Sequence, residues 1–456
     1  MQYLKTDDII TATGGKILSG RAREFTGLSI DSRTVRKDEL FVALRGDNFD
    51  GHDFIHEALK KAGGALVRNC PAAISGEKTI ISVPNTLVAL QAIARYLRLK
   101  SGIPAIGITG TNGKTTTKEF IASILMKSRK VLKTTGNLNN HIGLPLCISK
   151  MKGDEDVMVL EMGSNAEGDI QLLCDIASPD YAVITNVGPA HLEGFGDLET
   201  VRKTDLEILD YVRTAVVNAD DLFLLEGIRA FDGTLVTYGL GEKADVRARE
   251  ILQEERGTYF TLCLPGGMDM RISLRLAGKF NVYNALAAAA VADRYGADPP
   301  EIKEGLESFT GVPMRLEVRE ISGALIISDV YNANPASMEE GLKELNRLKK
   351  DRAIAVLGDM LELGAYAGEA HRRLMEQAED SGVDVIISVG KEMGNASRSF
   401  TGTSFRAESA EDARNVLLGI LKEGDTVLIK GSRGMRMERV LNAGDIPASR
   451  GEQHVV

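Results

Sequence analysis

The segment GITGTNGKTTTKE, residues Gly107–Glu119, decides the reading of this chain. It continues the apolar run IPAIGIT and opens the helical pattern TTTKEFIASILMK, so a strand feeds a glycine loop that starts a helix. Glycines let such a loop turn several backbone N–H groups toward one anion, and the helix N-terminus adds partial positive charge. Lys114 then stands where a side chain bridges terminal phosphates, and Thr115 where a hydroxyl reaches Mg²⁺. The usual spacing places a glycine where Ile108 stands, so the match is to a variant built on Gly107 and Gly110. A plain glycine-rich turn is the alternative; the agreement of strand, loop and helix favours the phosphate loop.

Outward from this segment the chain alternates strands and helices. VMVLEM, YAVITNV and RTAVVNAD read as further strands of the same unit, nearly continuous in apolar residues as buried parallel strands are. ALIISDV, AIAVLGD, DVIISVG and TVLIKG repeat the pattern toward the C-terminus, with helices such as SMEEGLKELNRLKK between them. The reading is an α/β protein with mostly parallel sheets, whose ligands sit at the C-terminal ends of strands. At about 150 residues per domain, 456 residues suggest three domains. We divide the chain at Pro84 and Pro313, into 1–83, 84–313 and 314–456.

Composition removes several classes. Apolar residues at 43% and charged residues at 26% belong to a folded globular chain, not a disordered one. A net charge of -9 argues against nucleic-acid binding. No stretch approaches the ~20 apolar residues of a membrane span, and MQYLKTDDII lacks a signal-peptide core, so stable membrane insertion is not expected and the cytoplasm is the expected compartment. Cys70, Cys147, Cys174 and Cys263 are widely spaced, which argues against a zinc or disulfide framework. No coiled-coil pattern or long apolar stripe calls for an oligomer, and a monomer is expected.

Other polar residues fall at strand ends. Glu161 closes VMVL and suits Mg²⁺, which prefers oxygen ligands, although it reads equally as a carboxylate facing a helix N-terminus. His191 follows YAVITNVGPA and stands open between a metal ligand and a loop histidine. DVYNANPAS, 329–337, is either a plain turn or a site loop. Lys430 and Arg433 in IKGSRGM are either a solvated turn or carboxylate partners, while Met435 and Met437 read as packing.

With these motifs in order, the chain resembles the Mur ligases, ATP-dependent amide-forming ligases of peptidoglycan precursor synthesis. TGTNGKTTTKE is similar to the whole family, and DSRTVRKDELFVALRG with DGHDF to the N-terminal module of two of its branches. GNLNNHIGLPL, DVYNANPASM, LGDMLELGAYAGEAH and IKGSRGMRME resemble the branch that adds D-alanyl-D-alanine to UDP-N-acetylmuramoyl-tripeptide (UDP-MurNAc-tripeptide). The resemblance implies a small UDP-sugar-binding N-terminal domain, a central P-loop ATPase domain and a Rossmann-like C-terminal ligase domain. It also implies an acyl phosphate formed from ATP on the tripeptide carboxylate.

The resemblance further implies roles. Gly110, Thr111, Asn112, Gly113, Lys114, Thr115 and Thr116 would cradle ATP, with Thr115 on Mg²⁺ and Glu161 and His191 on a second Mg²⁺. Asn281 in GKFN would meet adenine; Arg315 and Asp329 would meet phosphate and ribose. Asn139, Asn140, Asn332, Asn334, Lys430, Ser432 and Arg433 would surround the incoming substrate, and Asp31, Ser32 and Arg33 the UDP end. Lys114, His191, Arg315 and Asp205 would be catalytic. Asp205 marks a departure: many relatives carry a lysine carbamylated by CO₂ there, in a stretch like AKAKGEI, where this chain reads VRKTDLEI. Lys203 is no substitute, because residues i and i+2 of a helix do not share a face. Asp205 is expected to replace the carbamate electrostatically; the alternative is a precursor-binding homologue that has lost turnover. His141 also departs, standing where an acidic residue is usual. The remaining rivals are a family ligase for a single amino acid and a generic P-loop NTPase.

Overall fold

A computed structural model describes residues 4–46, 48–69, 78–255 and 257–441. The expected strands form, and they gather into three large sheets in chain order. The first has five strands, ordered Lys16–Ser19, Thr79–Ser82, Gly64–Val67, Leu40–Val42 and Leu28–Ser29, all parallel except the first pair. The helix Thr86–Ser101 follows, capped by the Asn85 side chain on the N–H groups of Leu87 and Val88. It buries Ala89, Leu90 and Ile93 against the first sheet and Ala94 against the second, so it is shared by two cores.

Nine strands make the second sheet. Ala105–Thr109 lies inside it, between Val157–Glu161 and Tyr181–Ile184, with both pairings parallel. The chain builds outward from this strand on one side and then on the other, which makes its C-terminal end a crevice for ligands. Val246–Gln253 joins the sheet parallel to Thr234–Gly239, and Thr258–Leu264 and Met268–Leu274 then extend it antiparallel, an addition absent from the sequence reading. Helix Lys279–Arg294 crosses this sheet. Its run of alanines, Ala285 to Ala290 around Leu286, is buried on all sides, as an all-round apolar helix must be.

The third sheet runs Glu317–Ile321, Ala324–Asp329, Asp425–Lys430, Arg352–Gly358, Val385–Val389 and Thr403–Ala407, parallel after its first pair. Helices cover both its faces, giving two separate cores. Cys147, Cys174 and Cys263 are buried free thiols; Cys70 lies outside the described residues. Among the described residues no helix is long and apolar enough to cross a membrane.

Candidate active site

The loop between strand Ala105–Thr109 and helix Lys114–Leu125 is shaped by two glycines. Gly110 has φ 119°, and a Cβ there would lie 2.3 Å from the Thr185 hydroxyl. Gly113 has φ 86°, and its Cβ would lie 2.3 Å from Asn284 Oδ1. Both positions combine a left-handed backbone with a contact too close for any side chain. Asn186 clamps the loop, accepting from Asn112 N–H at 3.0 Å and donating to its carbonyl at 2.9 Å. The Thr111 hydroxyl donates to the Gly188 carbonyl at 3.1 Å.

Lys114 bends back over this loop, its Nζ donating to the carbonyls of Gly110 and, at 3.2 Å, Thr111. Burial lowers its ammonium below the ordinary value, against the opposing pull of Asp205 and Glu161. Asp205 is 2% exposed and lies behind the loop. It accepts the Thr109 hydroxyl at 2.7 Å. Burial pushes its carboxyl up to about 6, although Lys114, Thr109 and the Gly110 N–H all pull it down. Asp205 therefore stands behind the glycine loop, and it borders none of the three clefts described next.

Three clefts meet at Thr115 and Arg315. The first, about 330 Å³, has a partly apolar wall of Val187, Tyr238, Leu276 and Phe280, and also contains Thr116, Asn281, Asp329 and Lys430. Asn281 donates at 2.7 Å to the carbonyl of Ala277, which lies just ahead of its helix. Lys430 is buried and paired to Asp329, its register partner on the adjacent strand. Burial lowers its ammonium, and Asp329 raises it. The second cleft, about 230 Å³, is polar and brings together Thr111, Lys114, Asn139, Asn140, Glu161, His191, Asn332 and Asn334. The third opens past Met314 and Arg433. Arg315 stacks on Tyr331 at 4.1 Å from the ring centre, and its Nε is a buried donor with no partner.

Glu161 ends its strand level with Ile108. Its Oε1 accepts the Asn139 amide at 2.8 Å, while Oε2 is buried without a hydrogen bond. That oxygen has the Lys118 ammonium 3.5 Å away, and Glu161 lines the polar cleft, where a carboxylate suits a hard cation. Among the described residues no three His, Cys, Asp or Glu side chains cluster for a metal, so an ion here would complete its shell with phosphate oxygens and water, as Mg²⁺ does.

His191 carries a feature the sequence did not reveal. Its Nδ1 pairs with Glu362 of the third unit at 2.5 Å, and the Glu193 N–H donates to the Glu362 carbonyl at 3.0 Å. His191 and Glu362 are both left-handed, with φ 52° and 65°, a strain of about 1–3 kcal/mol each. Fully buried His371 fixes the loop that presents Glu362: its Nδ1 meets the Ala367 carbonyl at 2.7 Å and its Nε2 accepts the Met360 N–H at 3.0 Å. Ser432 does not line the clefts; its hydroxyl accepts the Leu361 N–H at 2.9 Å and so braces the same loop. Asn334 caps helix Pro335–Leu348 and donates to Asn112 Oδ1 at 2.9 Å, a second bridge between the units. Asp31 and Arg33 form a bidentate pair that holds the Asp31 carboxyl down at about 2. With Ser32 they border none of these clefts.

Family models match most of the chain: the Mur ligase middle domain over residues 108–292, the Mur ligase glutamate ligase domain over 314–433, and the Mur ligase family catalytic domain over 24–98. The UDP-N-acetylmuramoyl-tripeptide–D-alanyl-D-alanine ligase of Bacillus subtilis strain 168 is 35% identical, over 91% of this chain and 92% of its own length. The protein of that name from Escherichia coli K12 is 35% identical over 93% and 95%. A crystal structure of MurF from Acinetobacter baumannii superposes with a TM-score of 0.90 at 30% identity, covering 96% of this chain and 98% of that one. MurF of Thermotoga maritima in complex with ADP superposes with a TM-score of 0.80 at 32% identity, over 91% and 96%.

Proposed function

Because the chain belongs to the Mur ligase family, we propose that it is an ADP-forming peptide ligase that joins D-alanyl-D-alanine to UDP-MurNAc-tripeptide. The products are the pentapeptide precursor of peptidoglycan, ADP and phosphate. The observation that carries this reading is the meeting of three clefts at Thr115 and Arg315, which suits a reaction joining a nucleotide and two further substrates.

A carboxylate is a poor electrophile, and it must approach a triphosphate of the same charge. Lys114 and Arg315 supply cations at that meeting point, and the unpartnered Arg315 Nε is a donor awaiting an anion. The nucleotide occupies the first cleft, its base against Phe280, Leu276 and Tyr238, with Asn281 and Asp329 beside it. On its arrival Lys114 exchanges loop carbonyls for phosphate oxygens. The tripeptide carboxylate enters the second cleft and takes the γ-phosphoryl group, ADP being the leaving group. The free amine of D-alanyl-D-alanine then attacks the acyl carbon, and phosphate leaves from the tetrahedral intermediate. Asn332 and Asn334 flank this approach, and Asp31–Arg33 serve the UDP end.

Thr115, Glu161 and His191 would hold Mg²⁺, which when bound neutralises phosphate charge. Asp205 supplies a fixed negative charge behind Lys114, doing from the protein side what a carbamate does in relatives. The contacts Asn112–Asn334 and His191–Glu362 hold the central and C-terminal units together over the site, which keeps water from the acyl phosphate. We place the hinges near Pro84 and Pro313.

A second reading, a precursor-binding homologue without turnover, rests on Asp205 alone. Phosphate release separates the two. With ATP, Mg²⁺, UDP-MurNAc-tripeptide and D-alanyl-D-alanine each omitted in turn, the ligase releases phosphate only when all four are present. No release from folded protein that binds the nucleotide-sugar would support the second reading. Replacement of D-alanyl-D-alanine by single amino acids tests the remaining family alternative.

A further inference from the structure

Lys118 has no part in the chemistry above, yet it is 1% exposed beside the site. It lies one helical turn beyond Lys114 on the phosphate-loop helix. Its Nζ is 3.5 Å from Glu161 Oε2, the oxygen that lacks a hydrogen bond, and 3.2 Å from Glu119 Oε1. The other oxygen of Glu119 pairs with Lys133 on the neighbouring edge strand. Glu161, Lys118, Glu119 and Lys133 thus form a line of alternating charge that starts at the cleft and ends at the sheet edge. Burying an ammonium is expensive, and packing alone would be served better by an apolar side chain of the same length.

We propose that Lys118 is a resident counter-ion for Glu161, a positioning residue that sets how tightly the free protein holds a divalent cation at that carboxylate. The inference rests on Glu161 being a metal ligand. Two effects follow from the 3.5 Å separation. Lys118 holds the Glu161 carboxylate in one orientation, with its ammonium beside the second oxygen. It also repels any divalent ion that arrives on the same oxygen, because two cations then divide one carboxylate at short range in a site with little water. The free protein therefore binds the ion weakly, and firm binding waits for phosphate oxygens to bring additional negative charge. Glu119 and Lys133 tune the effect, since the carboxylate of Glu119 offsets part of the Lys118 charge.

The test uses full-length, nucleotide-free protein and Mn²⁺ as the probe, with free ion counted by electron paramagnetic resonance at about pH 8, where carboxylates are ionised. Lys118→Met should tighten the Glu161-dependent Mn²⁺ binding by at least about tenfold, while Lys118→Arg stays near wild type. Glu119→Gln should change it in the opposite direction, weakening Mn²⁺ severalfold. This second variant is independent of whether Lys118→Met folds, which circular dichroism reports. A purely structural lysine would not give tighter binding on its removal. Unchanged or weaker Mn²⁺ binding in folded Lys118→Met, or unchanged binding in Glu119→Gln, overturns the proposal while leaving Glu161 as a ligand. If Glu161→Gln leaves Mn²⁺ binding unaltered in both the wild-type and Lys118→Met backgrounds, the metal reading itself fails, and the role of Lys118 with it.

Discussion

Asp205→Asn isolates the charge behind the glycine loop. Asp205 is buried, and its carboxyl is pushed from an ordinary 3.8 up to about 6 in the folded chain. A raised carboxyl adds stability at low pH, in full below 3.8, and that stability is lost as pH rises through 6. At pH 8 the group is ionised in both folded and unfolded chains and adds nothing. At pH 5 the folded chain holds the proton and the unfolded chain does not, which adds roughly 1.4 kcal/mol. Asparagine cannot titrate and lacks this increment. It also changes the bonds to Thr109 and Gly110, but that change cancels when the same pair of proteins is compared at two pH values. Urea denaturation of wild type and variant, followed by circular dichroism without nucleotide, measures the difference. The stability of the variant relative to wild type should improve by roughly 1.4 kcal/mol between pH 5 and pH 8. An identical difference at both pH values would show that Asp205 is not held up by burial, and the electrostatic role assigned to it would fall.

Other outcomes follow from the same geometry. Asp205→Ala should lower turnover, since Lys114 loses the carboxylate that acts on it most strongly; unchanged turnover and Mg²⁺ dependence would remove Asp205 from the machinery. Lys114→Met should lower kcat by about 10²-fold or more while the protein stays folded, measured by phosphate release. Gly113→Ala forces a Cβ to 2.3 Å from Asn284 Oδ1 at φ 86°, and calorimetry should show nucleotide affinity reduced by about tenfold or more. Glu362→Ala removes the partner of His191, and small-angle scattering with an ATP analogue and nucleotide-sugar should show less compaction than wild type; equal compaction would mean this pair does not hold the units together.

The strand–glycine loop–helix unit was legible because its determinants are local. Strand, glycines, lysine and helix lie within one short segment, and the two glycines prove to be positions where only glycine fits. The parallel strands were legible for a related reason: burial on both faces leaves unbroken apolar runs. The antiparallel strands Val246–Leu274 carry a weaker signal. Val246 and Ala248, then Phe260 and Leu262, alternate with exposed or half-buried residues, a period of two that a search for apolar runs passes over. Contacts between distant segments left no trace at all. Asn112 and Asn334 are 222 residues apart, and either one alone reads as a loop or cap residue. His191 and Glu362 are equally silent, although Glu362 lies inside a motif already singled out. Helix Thr86–Ser101 follows Pro84, and its apolar faces serve two cores at once, which its place in the sequence does not reveal. Asp205 was visible as a departure, but only the fold shows its carboxylate turned onto Thr109 behind the loop rather than into a cleft.

Transfer of the γ-phosphoryl group to a substrate carboxylate is the step on which the proposed function turns. It can be followed directly by labelling the terminal carboxylate of the tripeptide with ¹⁸O and examining the phosphate released during turnover. An acyl phosphate leaves one labelled oxygen with the phosphate, since the amine displaces the phosphoryl oxygen that came from the carboxylate. One ¹⁸O per phosphate, appearing only when D-alanyl-D-alanine is ligated, is the expected result. Phosphate without label would mean that water, not the carboxylate, receives the phosphoryl group, and would contradict the ligase mechanism at its first step.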